Sequence, residues 1–303
     1  MKNHTFGYFY AILAAFFFAL IAIIGKGLIS GGMHPFQVTF YQYIFIILIL
    51  GVWLFFRKKS ALKCDVKRLR SFVLLGIIGG AGTNLFFYSA LQYLNAGMTS
   101  MLLFLSPVYI TLFFATTKIR MMKPINYLSV LIAVIGAALV LDIFSGALHL
   151  SAKGIILGAL SGVTYAFFNV FVDVKLKSED PNVINFYASI FALFFTFILL
   201  LFKDIGLAVR LMDLPSIFFL ASFSGILPIY FIFKALQYVG SEKVSVIASL
   251  ELPLTLIMAF IFLKEHMRFI QLFGIALIIL STVLLHHHEK KEENCQRDKG
   301  TGS

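Results

Sequence analysis

The chain consists of long apolar runs separated by short polar segments. Each run has about 20 residues, the length that an α-helix needs to cross the hydrocarbon core of a bilayer. Strands of a membrane barrel would instead show about ten residues of alternating character. The pattern therefore predicts an all-α integral membrane protein. Its ten predicted transmembrane helices cover residues 6–25, 35–56, 72–93, 99–116, 125–141, 154–174, 183–202, 216–233, 244–262 and 269–285.

The composition agrees with a membrane protein. Of the 303 residues, 60% are hydrophobic and 13% are charged, whereas soluble domains have roughly 25% charged residues. The formal net charge of +11 raises the question of nucleic acid binding, but the cations lie in short segments between apolar runs, such as 57–70, without interleaved aromatic residues. We therefore expect a lipid bilayer and a small-molecule substrate as partners, no nucleic acid, and a monomer or homodimer.

The distribution of Lys and Arg predicts the orientation of the helices. If the N-terminus is cytoplasmic, 19 of the 25 cations fall in cytoplasmic segments, where membrane proteins are enriched in these residues. Both termini are therefore expected inside the cell, with the protein in the inner or plasma membrane. Cys64 and Cys295 then face a reducing compartment, so no structural disulfide is expected.

The two halves of the chain share residues at a constant spacing. The motif Ala-Leu-Gln-Tyr occurs at 90–93 and again at 235–238, 145 residues later. Five helices in each half place the second half in the opposite orientation, an arrangement typical of secondary transporters. The predicted units are a first five-helix repeat over 1–145, a second over 146–288 and a disordered cytoplasmic tail over 289–303. The other residues that recur at a spacing of 145 or 146 are Pro35 and Pro181, Gly80 and Gly225, and Pro107 and Pro253.

Glu251 is the acidic residue that lies deepest in a predicted helix. The other 13 of the 14 Asp and Glu residues lie in loops, tails or near helix ends, whereas Glu251 is roughly 10–12 Å from the start of the ninth helix. A carboxylate there costs at least a few kcal/mol unless it is protonated, paired or hydrated. Two interpretations stay open. Glu251 contacts a cationic substrate or carries a coupling proton, or it is a structural acid that bonds a neighbouring helix or caps a break at Pro253.

Further candidate residues lie on the third, fourth, sixth and ninth helices. On the sixth, Tyr165 and Asn169 share one face with small residues at 100° per residue, and Asn84 and Tyr88 are similarly placed on the third. These polar side chains either line a central cavity with Glu251 or bond neighbouring helices. A mid-helix proline frees a backbone carbonyl, so each proline is either a hinge with polar lining or a simple kink. The predicted substrate-binding set is Glu251, Asn84, Tyr88, Tyr165, Asn169, Pro107 and Pro253.

The sequence contains no motif for phosphate binding, metal binding or catalysis. The glycine-rich stretch 76–83 lacks the lysine of a phosphate loop and lies within an apolar run. His286, His287 and His288 have no acidic or Cys partner at a metal-binding spacing. No paired catalytic acids, HExxH motif or nucleophile elbow is present. We therefore expect no enzyme activity, no cofactor and no metal.

Several of these residues resemble motifs of the drug/metabolite transporter superfamily, specifically its EamA-type ten-helix members. The resemblance covers residues 6–285, and it departs from the family pattern at Gln42, where many members have Arg, and at 118–120, where a Glu is usual. It implies export or exchange of metabolites, amino acids, drugs or nucleotide-type compounds by alternating access. The matching residues are Lys26, Pro35, Tyr88, Ala90, Leu91, Pro107, Glu251, Leu252, Pro253, Leu263, Lys264, Glu265, Gln271 and Gly274.

Together these observations predict a secondary transporter of small organic metabolites or drugs, either an exporter or an exchanger. Glu251 suggests a cationic substrate or exchange of protons. The alternative is an uncoupled facilitator or importer of an amino acid, a nucleobase or a quaternary amine. A membrane enzyme or a channel fits the sequence less well, because neither catalytic motifs nor a selectivity filter is found.

Overall fold

The computed structural model describes residues 4–57, 66–94, 96–119, 123–140, 151–248, 250–263, 269–281 and 283–284. Nearly all of these residues are helical, and none of them lies in a β-strand. The first half contains α1 (His4–Ser30), α2 (Pro35–Arg57), α3 (Val66–Leu74, Leu75–Gly82 and Thr83–Ala90), α4 (Ala96–Leu103 and Ser106–Thr117) and α5 (Pro124–Val140). The second contains α6 (Ala152–Lys175), α7 (Pro181–Phe202), α8 (Leu211–Asp213, Leu214–Phe219, Leu220–Ile226 and Leu227–Val239), α9 (Ser241–Ala248 and Glu251–Leu263) and α10 (Phe269–Ser281).

Seven helices of the described part are long and apolar enough to cross a membrane: α1, α2, α3, α4, α6, α7 and α8. The apolar helices α5 and α10 are shorter. The chain is thus a multi-pass, all-helical membrane protein. Ten spans and the inverted orientation of the halves stay predictions, and the predicted boundary at residue 145 and tail at 289–303 lie outside the described residues.

Side chains before the first turn fix where several helices begin. Asp180 precedes Pro181 at the start of α7, and its Oδ1 accepts the backbone N–H of Asn182 at 2.9 Å. His34 precedes Pro35 at the start of α2, and its Nδ1 accepts the backbone N–H of Phe36 at 3.2 Å. Proline is well placed after each cap because the first N–H groups of a helix have no intrahelical acceptor. The recurrence of proline in the two halves therefore has a local structural basis.

The two halves share backbone irregularities as well as residues. In both α3 and α8 a stretch with wider π-helical turns interrupts the α-helix, over Leu75–Gly82 and Leu220–Ile226, which begin 145 residues apart. Both α4 and α9 break in the middle and restart, at Ser106 and Glu251, again 145 residues apart. Such π-helical turns frequently occur at functional sites.

The paired prolines lie at these restarts. Pro107 is the second residue of the segment Ser106–Thr117, and Pro253 is the third residue of Glu251–Leu263. We expected each proline to free a carbonyl inside a continuous helix, but the helix has already ended before each proline. Each of the two residues occupies a first turn, where its missing N–H removes no helical hydrogen bond.

Helices of the first half pack mainly against helices of the second. Helix α1 lies against α8, α2 against α7, and α3 against α6 and α7. Helix α3 approaches α7 closely at Gly76, where an added Cβ would overlap the backbone carbonyl oxygen of Ala188. Two glycines of α6 also allow a close approach to α4: an added Cβ would overlap the side chain of Leu102 at Gly158 and the backbone carbonyl oxygen of Leu102 at Gly162. These contacts leave a space between the halves.

Candidate functional site

A cavity lies between the two halves of the protein. Its empty volume is about 810 Å³, which includes space that is open to the surroundings. Helices α1, α2, α3 and α4 line it from the first half, and α6, α7, α8 and α9 line it from the second. The lining residues are Phe18, Ile21, Gln42, Tyr43, Ile46, Gly79, Gly80, Thr83, Asn84, Phe87, Leu103, Tyr165, Phe168, Asn185, Ala188, Ser189, Ser224, Gly225, Ile229 and Glu251.

One wall of the cavity carries a hydrogen-bonded network centred on Gln42. The Oε1 atom of Gln42 accepts the Tyr88 hydroxyl at 2.9 Å and the Nδ2 of Asn84 at 3.3 Å. The same Asn84 Nδ2 donates to the hydroxyl of Tyr43 at 3.2 Å. Two donors on one oxygen hold the carboxamide of Gln42 in a fixed orientation. Its Nε2 has no hydrogen-bond partner among the described residues, so this donor is free for a ligand.

Helix α7 adds a second polar group beside this network. The Nδ2 of Asn185 donates to the carbonyl oxygen of Gly225 at 3.0 Å, and the hydroxyl of Ser189 donates to Asn185 Oδ1 at 3.3 Å. Gly225 belongs to the stretch of wide turns in α8. The neighbouring Ser224 is buried, and its hydroxyl has no partner in the described part of the chain.

Glu251 lies at the restart of α9 and lines the cavity with only 4% of its surface exposed. Its carboxyl group has no hydrogen bond or ion pair with any described residue. Aromatic rings border the same space: Phe18 meets Tyr165 edge to face at 6.2 Å, and Tyr165 stacks on Phe168 at 6.4 Å between ring centroids. An unpaired buried carboxylate is unfavourable, so this position is suited to hold a proton or a cationic ligand.

The cavity wall, as far as the structure describes it, contains no Lys, Arg or His. Lys26, at the end of α1, is engaged elsewhere, because its Nζ donates to the carbonyl oxygens of Leu91 and Leu94 at 2.6 and 3.0 Å. The ionised form of Glu251 would therefore give the cavity a net negative charge. A ligand with a positive charge can balance it.

Asp173 connects α6 to a neighbouring helix, as Lys26 does for α1. Asp173, near the end of α6, accepts the backbone N–H and the hydroxyl of Ser241 at 2.9 and 3.0 Å, which caps the start of α9. Its other oxygen pairs with Lys177 at 3.1 Å. An anion at a helix N-terminus and a cation at helix C-terminal carbonyls are both favourable placements.

The structure brings three of the seven predicted site residues to the cavity wall: Glu251, Asn84 and Tyr165. Tyr88, fully buried, lies behind the wall and positions Gln42. Asn169, 1% exposed, donates through Nδ2 to the backbone oxygen of Tyr165 at 2.9 Å, and its Oδ1 has no partner in the described residues. Neither Pro107 nor Pro253 lines the cavity.

Sequence reasoning did not select six polar wall residues: Gln42, Tyr43, Thr83, Asn185, Ser189 and Ser224. Their signal was present in part, since Gln42 and Asn185 are side-chain amides inside apolar runs, where polar groups are costly and are usually functional. Among the described residues, no group of three or more His, Cys, Asp or Glu is arranged so that it could hold a metal ion. The three consecutive histidines at 286–288 lie outside them.

Comparisons with known proteins agree with the fold and the repeat. The family model described as the EamA-like transporter family matches residues 5–142 and 152–286, one match for each half. A protein crystal structure resembles this chain with a TM-score of 0.76, covering 92% of this chain and 95% of that chain at 14% identity, which is evidence for a shared fold. No protein of curated function matches the chain. The protein therefore belongs to the EamA-like transporter family and is a multi-pass membrane transporter of small molecules.

Proposed function

We propose that this protein is a secondary transporter that exchanges a small organic solute for protons, with Glu251 as the residue that binds the proton. Solute and proton would compete for the same carboxyl group as the cavity opens to one side of the membrane and then to the other. Exchange of this kind drives export when protons enter the cell. The predicted exporter or exchanger is thus the function that we favour.

The observation that carries this proposal is the isolation of the Glu251 carboxyl in the central cavity. It is 4% exposed and has no hydrogen bond or ion pair with a described residue, which speaks against the structural role that the sequence left open. A buried carboxyl of this kind is stable when it is neutral or when a cation lies beside it. Alternation between these two states couples the solute to the proton.

The composition of the cavity wall supports alternating access. Both halves contribute four helices to the wall, so any rotation of one half against the other changes the shape and the opening of the cavity. The repeated irregularities of α3 and α8 support equivalent bending of the two halves. We further propose inverted repeats with both termini in the cytoplasm, on the basis of the 19 of 25 cations assigned to that side.

Proton exchange is tested by comparing the parent protein with Glu251→Gln in proteoliposomes. Solutes that raise the melting temperature of the purified protein are first selected, since a ligand that binds only the folded state stabilises it. Each selected solute is then applied as a gradient, and proton movement is followed with an internal pH dye. We expect the parent to move protons and Glu251→Gln to lose this movement almost completely, because Gln cannot bind and release a proton.

The matched control is Glu179→Gln, which neutralises an acid outside the cavity. Glu179 pairs with Arg68 at 3.3 Å and does not line the cavity. We expect this variant to keep solute-driven proton movement. Undiminished movement in Glu251→Gln, with a solute that the parent transports, would exclude Glu251 as the coupling residue. Transport of the solute without proton movement in the parent would favour an uncoupled facilitator.

A further inference from the structure

The polar groups of the cavity divide into a donor side and an acceptor side. On the donor side, Gln42 Nε2 and the hydroxyls of Tyr43 and Ser224 are not committed as donors to any described residue. On the acceptor side stands the carboxyl of Glu251, on a different helix. Unpaired donors and an unpaired acid in one cavity indicate a ligand that carries one group complementary to the donors and another complementary to the acid.

From this arrangement we propose the substrate class: a small organic monocation whose second polar group is an uncharged hydrogen-bond acceptor, such as an amide, an ester or a ketone. The cation lies beside Glu251, and the acceptor receives hydrogen bonds from Gln42, Tyr43 and Ser224. This inference rests on the proposed function, because it assigns the solute that occupies the same cavity.

The orientation of the Gln42 carboxamide determines what the donor side accepts. Its oxygen already receives hydrogen bonds from Tyr88 and Asn84, so the amide cannot turn this oxygen toward a ligand without losing both. The group that Gln42 presents is therefore the N–H donor. A ligand that brings a donor to this place would leave two donors facing each other in a buried site, which costs free energy.

The charge of the wall excludes a carboxylate at the same place. A carboxylate ligand would also accept hydrogen bonds from these donors, but it would enter a cavity whose described wall offers no Lys, Arg or His to balance its charge. A buried, unpaired anion is strongly unfavourable. An amide keeps the hydrogen bonds without the charge, so the cavity selects the amide over the acid.

The aromatic rings of the cavity wall fit an apolar or aromatic group of such a ligand. Phe18, Tyr165 and Phe168 form a continuous aromatic border, with centroid separations of 6.2 and 6.4 Å. Ring faces attract organic cations and stack on apolar groups. A cationic end next to Glu251 is therefore also placed near aromatic faces.

Three matched probes test the class: N,N,N-trimethylphenylalaninamide, N,N,N-trimethylphenylalanine and N,N,N-trimethylphenethylammonium. They share a permanent cation and a phenyl ring, and they carry an amide, a carboxylate and no second polar group, respectively. Binding to the purified protein is measured by calorimetry in detergent. We expect the amide to bind about tenfold more tightly than the phenethylammonium, the gain of one to two hydrogen bonds. We expect a similar advantage of about tenfold over the carboxylate, because the described wall has no cation to balance its charge.

Two variants locate the ends of the ligand. The double variant Tyr43→Phe, Ser224→Ala removes two donors, and we expect it to reduce the affinity ratio of amide to phenethylammonium about 3- to 10-fold. Ser222→Ala is the matched control, because Ser222 lies on the same stretch of α8 with an unpaired buried hydroxyl but does not line the cavity. Glu251→Gln should weaken the binding of both the amide and the phenethylammonium about tenfold or more.

The proposed class is overturned if the carboxylate binds as tightly as the amide, if the amide has no advantage over phenethylammonium, or if the amide does not bind. An unchanged affinity ratio in the double variant, with binding of phenethylammonium retained, overturns the donor side, and unchanged affinities in Glu251→Gln overturn the cation side. These measurements use no membrane gradient. They are therefore independent of proton coupling, which only the proteoliposome experiment tests.

Discussion

The two halves of the protein repeat their backbone but not their chemistry. Wide turns interrupt α3 and α8 at positions 145 residues apart, and α4 and α9 break and restart with the same spacing. At equivalent wall positions, however, Gln42 of α2 corresponds to Ala188 of α7, and Asn84 of α3 corresponds to Ile229 of α8. The uncharged donors thus come mainly from the first half.

The acid comes from the second half. Glu251 opens the second segment of α9, whereas Ser106 opens the corresponding segment of α4. The two halves therefore have similar backbones, which suits equivalent movements of both. Differences in side chains at equivalent positions make the cavity chemically asymmetric. Substitutions at equivalent positions of the two halves should have unequal effects, and measuring these effects tests the difference between the halves.

The largest difference is expected between Gly76 and its counterpart Ala221. An added Cβ at Gly76 would overlap the carbonyl oxygen of Ala188 and lie 3.1 Å from its carbon, so the backbones of α3 and α7 would have to separate. We expect Gly76→Ala to lower the free energy of unfolding by about 3 kcal/mol. Unfolding in mixed micelles with increasing SDS measures the change.

The reverse change supplies the comparison. Ala221 is fully buried in α8, and Ala221→Gly should cost only about 1 kcal/mol, from the lower helix propensity of glycine. Equal effects of the two variants would contradict the close approach of α3 to α7. They would then show that the two wide-turn stretches tolerate a side chain equally.

A smaller difference is expected between the residues that anchor α6 and α1. We expect Asp173→Ala to lower the free energy of unfolding by about 2–3 kcal/mol, because the fully buried side chain caps α9 and leaves the N–H of Ser241 unpaired when removed. Lys26→Met should cost about 1–2 kcal/mol, because the side chain of Lys26 is only partly buried and its acceptor carbonyls lie at a helix end. The same SDS titration compares them, and a larger effect of Lys26→Met would contradict this order.

The smallest difference concerns the caps that precede Pro35 and Pro181. Partial burial lowers the pKa of His34 below its ordinary 6.5, so the unfolded chain takes up this proton more readily than the folded one. The contribution of His34 is then complete above about pH 6.5 and is lost as the pH falls. We expect a loss below about 1 kcal/mol between about pH 7.5 and pH 5.5, since a protonated Nδ1 cannot accept the N–H of Phe36.

The variant His34→Asp makes the first cap like the second. Asp180 caps α7 through a carboxylate, which stays ionised over this pH range. The decrease in melting temperature from about pH 7.5 to pH 5.5 should therefore be smaller in His34→Asp than in the parent. An identical decrease in both proteins would assign it to other groups.

Features that depend on local sequence could be predicted. The multi-pass helical fold follows from apolar runs of sufficient length, and the repeat is visible in residues such as Gly80 and Gly225, which both line the cavity. Glu251 stood out because a carboxyl deep in an apolar run is costly. The family assignment confirms the resemblance that these residues carry.

Features that depend on packing between the halves could not be predicted. Asn84 lines the cavity, whereas Tyr88, four residues later on the same helix, lies one layer behind the wall. The wide turns of α3 include the close contact of Gly76 with α7, a partner more than 100 residues away along the chain. Helical periodicity gives the face on which a residue lies, but not the neighbour that meets it.

Because the cavity wall is shared between the halves, a ligand that contacts both halves also holds them in a fixed relative position. A compound that fits the donor side and Glu251 equally well would resist the rotation that has to release it. Such a compound is expected to be an inhibitor, with slow turnover and long residence. In a search for the natural solute, the tightest binder should therefore be set apart from the compounds that cross the membrane, and substrates should be sought among ligands of intermediate affinity.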